Sequence, residues 1–225
     1  MNKISIRSVG PIKEATFGLN KINVFMGPQS SGKSTIAKII SHCTWVEKLV
    51  ATNQSLDDYC TNKESFKEWF ETFHKIEGYF NNNSVIDYES AVIKLHYTAQ
   101  DYTIDWADKY AYQKSKISYI PAERNMVILP EMEKVELPNN NVRCFLFDWF
   151  DARRRYVNEN NLPLLDLGVR YYYLRQTREN YIQYKENGES YDILLSNASS
   201  GLQSVTPMIV MTDYLTKCWS IRMQH

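Results

Sequence analysis

Cysteine is scarce in this chain: Cys43, Cys60, Cys144 and Cys218 are scattered over 225 residues with no C-x-x-C pair. Such spacing suggests neither a zinc site nor a disulfide framework, and it fits a reducing compartment. Net charge is also missing, because 26 Lys+Arg balance 26 Asp+Glu. That balance argues against a chain-wide nucleic-acid footprint and leaves room only for a local basic patch. No run approaches the roughly 20 apolar residues needed to cross a bilayer. The opening MNKISIRSVG lacks the apolar stretch of a signal peptide. A cytoplasmic protein with no membrane partner is expected. Hydrophobic residues make up 44% of the chain and charged residues 23%, enough to bury a core. The length suits one large domain, or a domain carrying an inserted subdomain.

The first third reads as short strands running into a helix. Ile4 to Val9 and Glu14 to Leu19 alternate apolar and polar residues around Gly10-Pro11. Ile22 to Met26 is continuously apolar, as a buried strand should be. A helical pattern starts at Ser34, with Ile36, Ile39, Ile40 and Cys43 on one face. Residues 49–83 look helical, and Phe66, Trp69, Phe70 and Phe73 form a core stripe. A hairpin is expected from Ala91 to Tyr97 and Tyr102 to Trp106, and another strand from Lys116 to Ile120. From Phe145 to Tyr184 the pattern is mainly helical, broken near Asn160 to Pro163. A strand or hairpin around Tyr191 to Leu195 precedes a Ser/Asn-rich turn and a last helix.

The chemistry concentrates between the third expected strand and the first helix. Gly27-Pro28-Gln29-Ser30-Ser31-Gly32-Lys33-Ser34 fits G-x-x-x-x-G-K-[ST] at every fixed position. Glycines let the backbone close around phosphate oxygens without Cβ clashes. The loop N–H groups and the positive end of the helix attract the negative phosphates. Lys33 sets a cation near the β- and γ-phosphates, Ser34 offers its hydroxyl to Mg²⁺, and Thr35 lies near the α-phosphate. ATP with Mg²⁺ is the expected ligand. Guanine specificity would call for N-K-x-D, and Asn62-Lys63-Glu64-Ser65 lacks the aspartate and sits in a helical stretch.

A second motif selects among phosphate-loop proteins. Asn197-Ala198-Ser199-Ser200-Gly201-Leu202-Gln203-Ser204 opens the last helix and resembles the signature motif of ABC-type ATPases. It is closest to the S-S-G-x-Q variant of the RecF-like and OLD-like branch, which is related to SMC proteins and belongs to the AAA family ATPases in the broad sense. The run SIRSVGPIKEATFGLNKINVFMGPQSSGKST resembles the opening of that branch, and Ile117-Ser118-Tyr119-Ile120-Pro121-Ala122-Glu123-Arg124 is also similar. The resemblance implies an α/β P-loop NTPase fold, with an ABC-like mixed sheet, an antiparallel edge and a helical insertion. It implies a single head domain over residues 1–225, with helical insertions at about 45–83 and 140–190. It further implies that ATP is sandwiched between two copies of the chain. Ser199, Ser200, Gly201 and Gln203 would then form the site for the γ-phosphate of the partner's nucleotide, with Gln203 orienting the turn or the ribose. Glu123 or Arg124 would contact Mg²⁺ or its water and sense the γ-phosphate. Leu202 replaces the second glycine of the common form, and Pro207 should weaken the first turns of the helix.

Hydrolysis in this family needs an apolar strand ending in Asp-Glu, and no segment supplies it. Met208 to Asp213 has the apolar run, but its periodicity belongs to the signature helix, and no Glu follows Asp213. Leu164-Leu165-Asp166 is too short and too early, and His225 is too close to the signature to be the switch histidine. The expectation is either the N-terminal part of a longer ATPase or a shortened protein that binds ATP with little turnover. About 165 residues separate Lys33 from Ser200, too few for long coiled-coil arms. Arg153-Arg154-Arg155 and Tyr171-Tyr172-Tyr173, with Arg170, Arg175 and Arg178, form either a DNA or RNA surface or a solvated helix face over packed tyrosines. The resemblance places such ATPases in DNA repair or anti-phage defence, with a nuclease or other effector as partner. A non-hydrolysing ATP sensor that recruits an effector is the alternative, and a transporter motor is disfavoured by the signature variant.

Overall fold

A computed structural model describes residues 2–55, 62–129, 136–164, 167–186 and 188–222. The chain is mixed α/β and divides into two compact units, residues 1–117 and 118–225. Among the described residues no helix is long and apolar enough to cross a membrane.

The first unit is built on a five-stranded antiparallel sheet in the order β2-β1-β3-β4-β5. Its strands are β1 (Asn2–Val9), β2 (Ile12–Leu19), β3 (Val85–Glu89), β4 (Ile93–Thr98) and β5 (Tyr102–Trp106). Alternation gives it two unlike faces. Ile4, Ile6, Ile86, Tyr88, Ile93, Leu95 and Tyr97 point to the core, whereas Lys3, Arg7, Asp87, Glu89 and Lys94 face solvent. Helix α1 (Lys33–Asn53) adds Ile39, Cys43, Val46 and Val50 to that core, and α2 (Lys63–His74) adds Phe66 and Phe70. Asn62 caps α2 by accepting from the Ser65 N–H at 2.7 Å. The Asn62–Ser65 segment is therefore a helix start. Strand β3 was not legible as a separate element, although Ile86 and Tyr88 carry the period-two signal.

The apolar run Ile22–Met26, expected as a buried strand, joins no sheet. Ile22, Val24 and Met26 are 79%, 78% and 88% exposed. A strand apolar on both sides needs hydrogen-bonded neighbours and cover on its faces, and no described strand pairs with it. Local contacts hold the segment instead: Asn23 Nδ2 donates to the Asn20 carbonyl at 2.8 Å, and Phe25 meets Phe17 edge-on at 5.2 Å. Lys116 to Ile120, the other expected strand, likewise enters no ladder among the described residues.

The second unit corrects the helical expectation for residues 140–190. Among the described residues there, α3 (Asn141–Arg153) is the one α-helix, joined by a short 3₁₀ turn at Asn158–Asn160. Asn140 starts α3, its side chain accepting from the Val142 and Arg143 N–H groups. The rest forms a four-stranded antiparallel sheet of β6 (Leu162–Pro163), β7 (Val169–Leu174), β8 (Glu179–Glu186) and β9 (Glu189–Leu194). Aromatic and β-branched residues on alternating positions favour a pleated surface. Cross-strand stacking of Tyr172 on Tyr181 at 5.2 Å, and of Tyr184 on Tyr191 at 5.0 Å, exploits that register. The last helix, α4 (Ser200–Arg222), buries Val210 and Met211 against Phe145, Leu146, Trp149, Tyr171 and Ile182. It stays helical past Pro207, and Met208 to Asp213 lies within it.

In the first unit His42 is 3% exposed among the rings of Phe66 and Phe70, each 4.8 Å away, with His74 at 6.3 Å. Burial, reinforced by His74, lowers its pKa to about 3. Burial and Lys38 do the same to His74. Both imidazoles fold neutral but accept protons once unfolded, so acid favours the unfolded chain. Stability from this pair is complete above pH 6.5 and drains away as pH falls toward 3, by at most about 1.4 kcal/mol per pH unit for each histidine. Denaturant unfolding between pH 7 and pH 4 should show that loss, and His42→Phe should flatten the slope. An unchanged slope in the variant would exclude His42 as its source.

Candidate functional site

The phosphate-loop residues occupy the turn between the Ile22–Met26 segment and α1. Gly32 is the N-cap of α1 with φ 91°, a left-handed conformation that favours glycine. A Cβ at that position would lie 2.8 Å from Ile12 Cγ1, so the loop sits directly on the buried start of β2. Ser30 is also left-handed, at φ 62°. Residues 27–31 and Ser34 are exposed, whereas Thr35 is buried at 4%.

The electrostatics of the loop follow from its backbone. Lys33 Nζ donates to the Gly27 carbonyl at 2.8 Å, to the Pro28 carbonyl, and to Ser31 Oγ at 3.3 Å. Its positive charge is thereby held over the loop. The N–H groups of residues 27–35 make no hydrogen bond to any described residue; Pro28, lacking one, is the exception. No acidic residue occupies the first turn of α1, so nothing opposes an anion at that positive end. Free donors, a helix N-terminus and a lysine suit an oxygen-rich anion. The Ser34 hydroxyl has no partner among the described residues and fits a Mg²⁺ ligand. Among the described residues no three His, Cys, Asp or Glu side chains are grouped to hold a metal. A Mg²⁺ bound through Ser34 would therefore take its other ligands from phosphates and water.

The signature residues open α4 in the second unit. Ser199 caps the helix: its hydroxyl accepts from the Leu202 N–H at 3.4 Å, and its carbonyl from the Gln203 N–H at 2.9 Å. Gln203 Nε2 donates to the carbonyls of Ser196 at 2.8 Å and Ala198 at 3.0 Å, which fastens the turn before the helix. Ser200 and Gly201 are exposed, and a Cβ on Gly201 would find nothing closer than Ser199 Oγ at 4.0 Å. The backbone there is open to a close approach.

Glu123 and Arg124 lie in a 3₁₀ helix, Ala122–Ile128, and have different surroundings. Glu123 is exposed. Arg124 is half-buried and bonded through Nε to the Ser204 carbonyl and through Nη2 to Ser204 Oγ, both at 2.9 Å. Sequence reasoning missed Ile12 behind Gly32 and Ser204 beneath Arg124. Each partner is remote along the chain, so no local spacing reveals it.

The basic-aromatic stretch is divided: Arg154, Arg155, Arg170, Arg175 and Arg178 are exposed, whereas Arg153 and the tyrosines are buried. Arg153 is 2% exposed, with its guanidinium over Phe150 and Tyr173 at 4.6 and 4.4 Å. Tyr171, Tyr172 and Tyr173 are buried too. The buried tyrosines offer no open stacking platform; they are packed as one reading expected, but on strand β7 rather than beneath a helix face. Asp166 and His225 fall outside the described residues. Set against protein-family models and curated proteins, the chain matches none.

One expectation tests the loop's construction. Gly32→Ala should destabilise the chain by ~1–3 kcal/mol, through left-handed backbone strain and the contact with Ile12, as read by denaturant unfolding. Unchanged stability would show that the loop is not seated on β2 as described.

Proposed function

We propose that the chain is an ATP-binding head of ABC type, from the RecF-like and OLD-like branch, which dimerises around ATP and Mg²⁺. The observation that carries this reading is the cluster of unbonded N–H groups at the start of α1, with Lys33 held above them. The P-loop NTPase fold is part of the same proposal and rests on the loop's sequence and the helix that follows it. The expected mixed sheet is not met, because every strand pair among the described residues is antiparallel.

In this reading the N–H groups of residues 29–34 bind the β-phosphate. Lys33 leaves its carbonyl partners to meet the β- and γ-oxygens, and exchanges neutral acceptors for charged ones. Ser34 holds Mg²⁺, which supplies charge neutralisation between the phosphates when bound. The open backbone at Ser200 and Gly201 presents the start of α4 to the γ-phosphate on a second copy. Gln203 keeps that turn in shape rather than touching the nucleotide, because its amide already serves two carbonyls.

Turnover needs an Asp-Glu pair at the end of an apolar strand, and Met208 to Asp213 is helical. Asp213 also accepts from the Tyr156 hydroxyl at 2.6 Å and pairs with Lys217 at 2.8 Å. These observations favour a second reading, in which the chain senses ATP without hydrolysing it and recruits an effector such as a nuclease. Steady ATP hydrolysis by the purified protein would reject that second reading. A role in DNA repair or phage defence fits either.

Lys33→Ala should abolish ATP binding in a fluorescence titration, and retention of normal affinity would refute the phosphate-loop assignment. Ser200→Arg should bind ATP normally yet fail to dimerise, because a bulky cation would fill the site of the partner's γ-phosphate. Dimerisation as in the wild type would remove the signature assignment.

A further inference from the structure

The start of α4 has a built-in weakness. Pro207 lies inside the helix, so it cannot donate the usual bond to the carbonyl of Gln203. The missing bond falls within the first two turns, the part that presents Ser200 and Gly201. A helix frays most easily at its ends, and losing a backbone bond there makes it looser. The turn must nevertheless hold its donors in one orientation if they are to meet an anion.

Two side chains brace this weak point. Gln203 ties the helix back to Ser196 and Ala198, as described above. Arg124 ties it sideways: its planar guanidinium reaches the carbonyl and the hydroxyl of Ser204 together, while Nη1 lies 3.5 Å from the Pro121 carbonyl. Ser204 follows Ser200 by one helical turn and so lies on the same face. It is also the residue after Gln203, whose carbonyl has lost its donor. A rigid fork is needed to grip both Ser204 atoms, and lysine offers only a point charge.

We propose that Arg124 is a positioning residue that holds the Ser199–Gln203 turn in its anion-ready orientation by bracing α4 beside Pro207. The proposal rests on the signature reading given above and deepens it. Arg124 would be a strut rather than a phosphate sensor, which leaves Glu123 and Asn125 as the exposed polar residues of that turn.

The test compares the wild type with Arg124→Ala, Arg124→Lys and the double variant Arg124→Ala/Pro207→Ala, using two readouts. Hydrogen exchange of the Gln203, Ser204 and Val205 amides, without nucleotide, reports the brace itself. Exchange should quicken about tenfold in Arg124→Ala, as expected from losing two hydrogen bonds. It should quicken less in Arg124→Lys, and the double variant should restore it by returning the helix bond. Unchanged exchange in Arg124→Ala, or no rescue by Pro207→Ala, overturns the brace.

The second readout is molecular mass with a slowly hydrolysed ATP analogue and Mg²⁺, alongside analogue affinity. Arg124→Ala should bind the analogue within about twofold of the wild type and dimerise about tenfold more weakly, with recovery in the double variant. Normal dimerisation by Arg124→Ala would overturn the positioning role while the signature reading stands. A wild type that binds the analogue and stays monomeric would instead fail the signature reading, and the functional half of the proposal with it.

Discussion

The change of direction at Gly32 is the constraint on which the first unit depends. Its left-handed backbone turns an exposed loop into the first residue of α1, and its missing Cβ lets that turn rest on Ile12 of β2. Everything downstream inherits the placement. Ile39, Cys43, Val46 and Val50 can reach Ile4, Ile6 and Ile86 only if α1 leaves the loop at this point. The same turn exposes the helix N-terminus with its donors unbonded, so the residue that anchors the core also shapes the proposed anion site. Lys33, held by two loop carbonyls, keeps a positive charge there before any ligand arrives.

The second unit solves a similar problem with other means. A helix start is again presented to solvent, and here the cap is Ser199 while the fasteners are Gln203 and Arg124. The interior that supports it is aromatic. Trp149, Tyr171 and Phe145 pack behind α4, and Arg153 is accommodated by lying across two rings rather than by facing solvent. The two ring faces contribute cation–π stabilisation to this buried guanidinium.

How far the fold was legible follows from how local each signal is. The loop from Gly27 to Thr35, the separate strands β1 and β2, the β4–β5 hairpin and the start of α4 were readable because spacing or turn chemistry within a few residues specifies them. Ile22–Met26 and Lys116–Ile120 were misread because apolar content gives a segment strand potential, whereas a strand exists only where a neighbour offers a ladder. Residues 162–186 were misread in the other direction. Tyrosines and arginines at mixed spacings satisfied a helical template, but Val169, Tyr171 and Tyr173 on one face fit the period of a strand equally well. The register with Ile182 and Tyr184 decided between them. Of the candidate site, the motif residues were legible and their supports were not. Ile12, Ser204 and the carbonyls of Ser196 and Ala198 act through contacts that only the folded chain brings together.

Hydrogen–deuterium exchange across residues 27–35, with and without ATP and Mg²⁺, tests the central claim most directly. Those N–H groups are unbonded in the ligand-free fold, so they should exchange fast alone and become strongly protected when phosphate oxygens accept from them. Protection confined to this stretch, or accompanied by protection at 199–203, is the result the account predicts. Exchange that stays fast at 27–35 under saturating nucleotide would contradict it, whatever changes elsewhere in the chain.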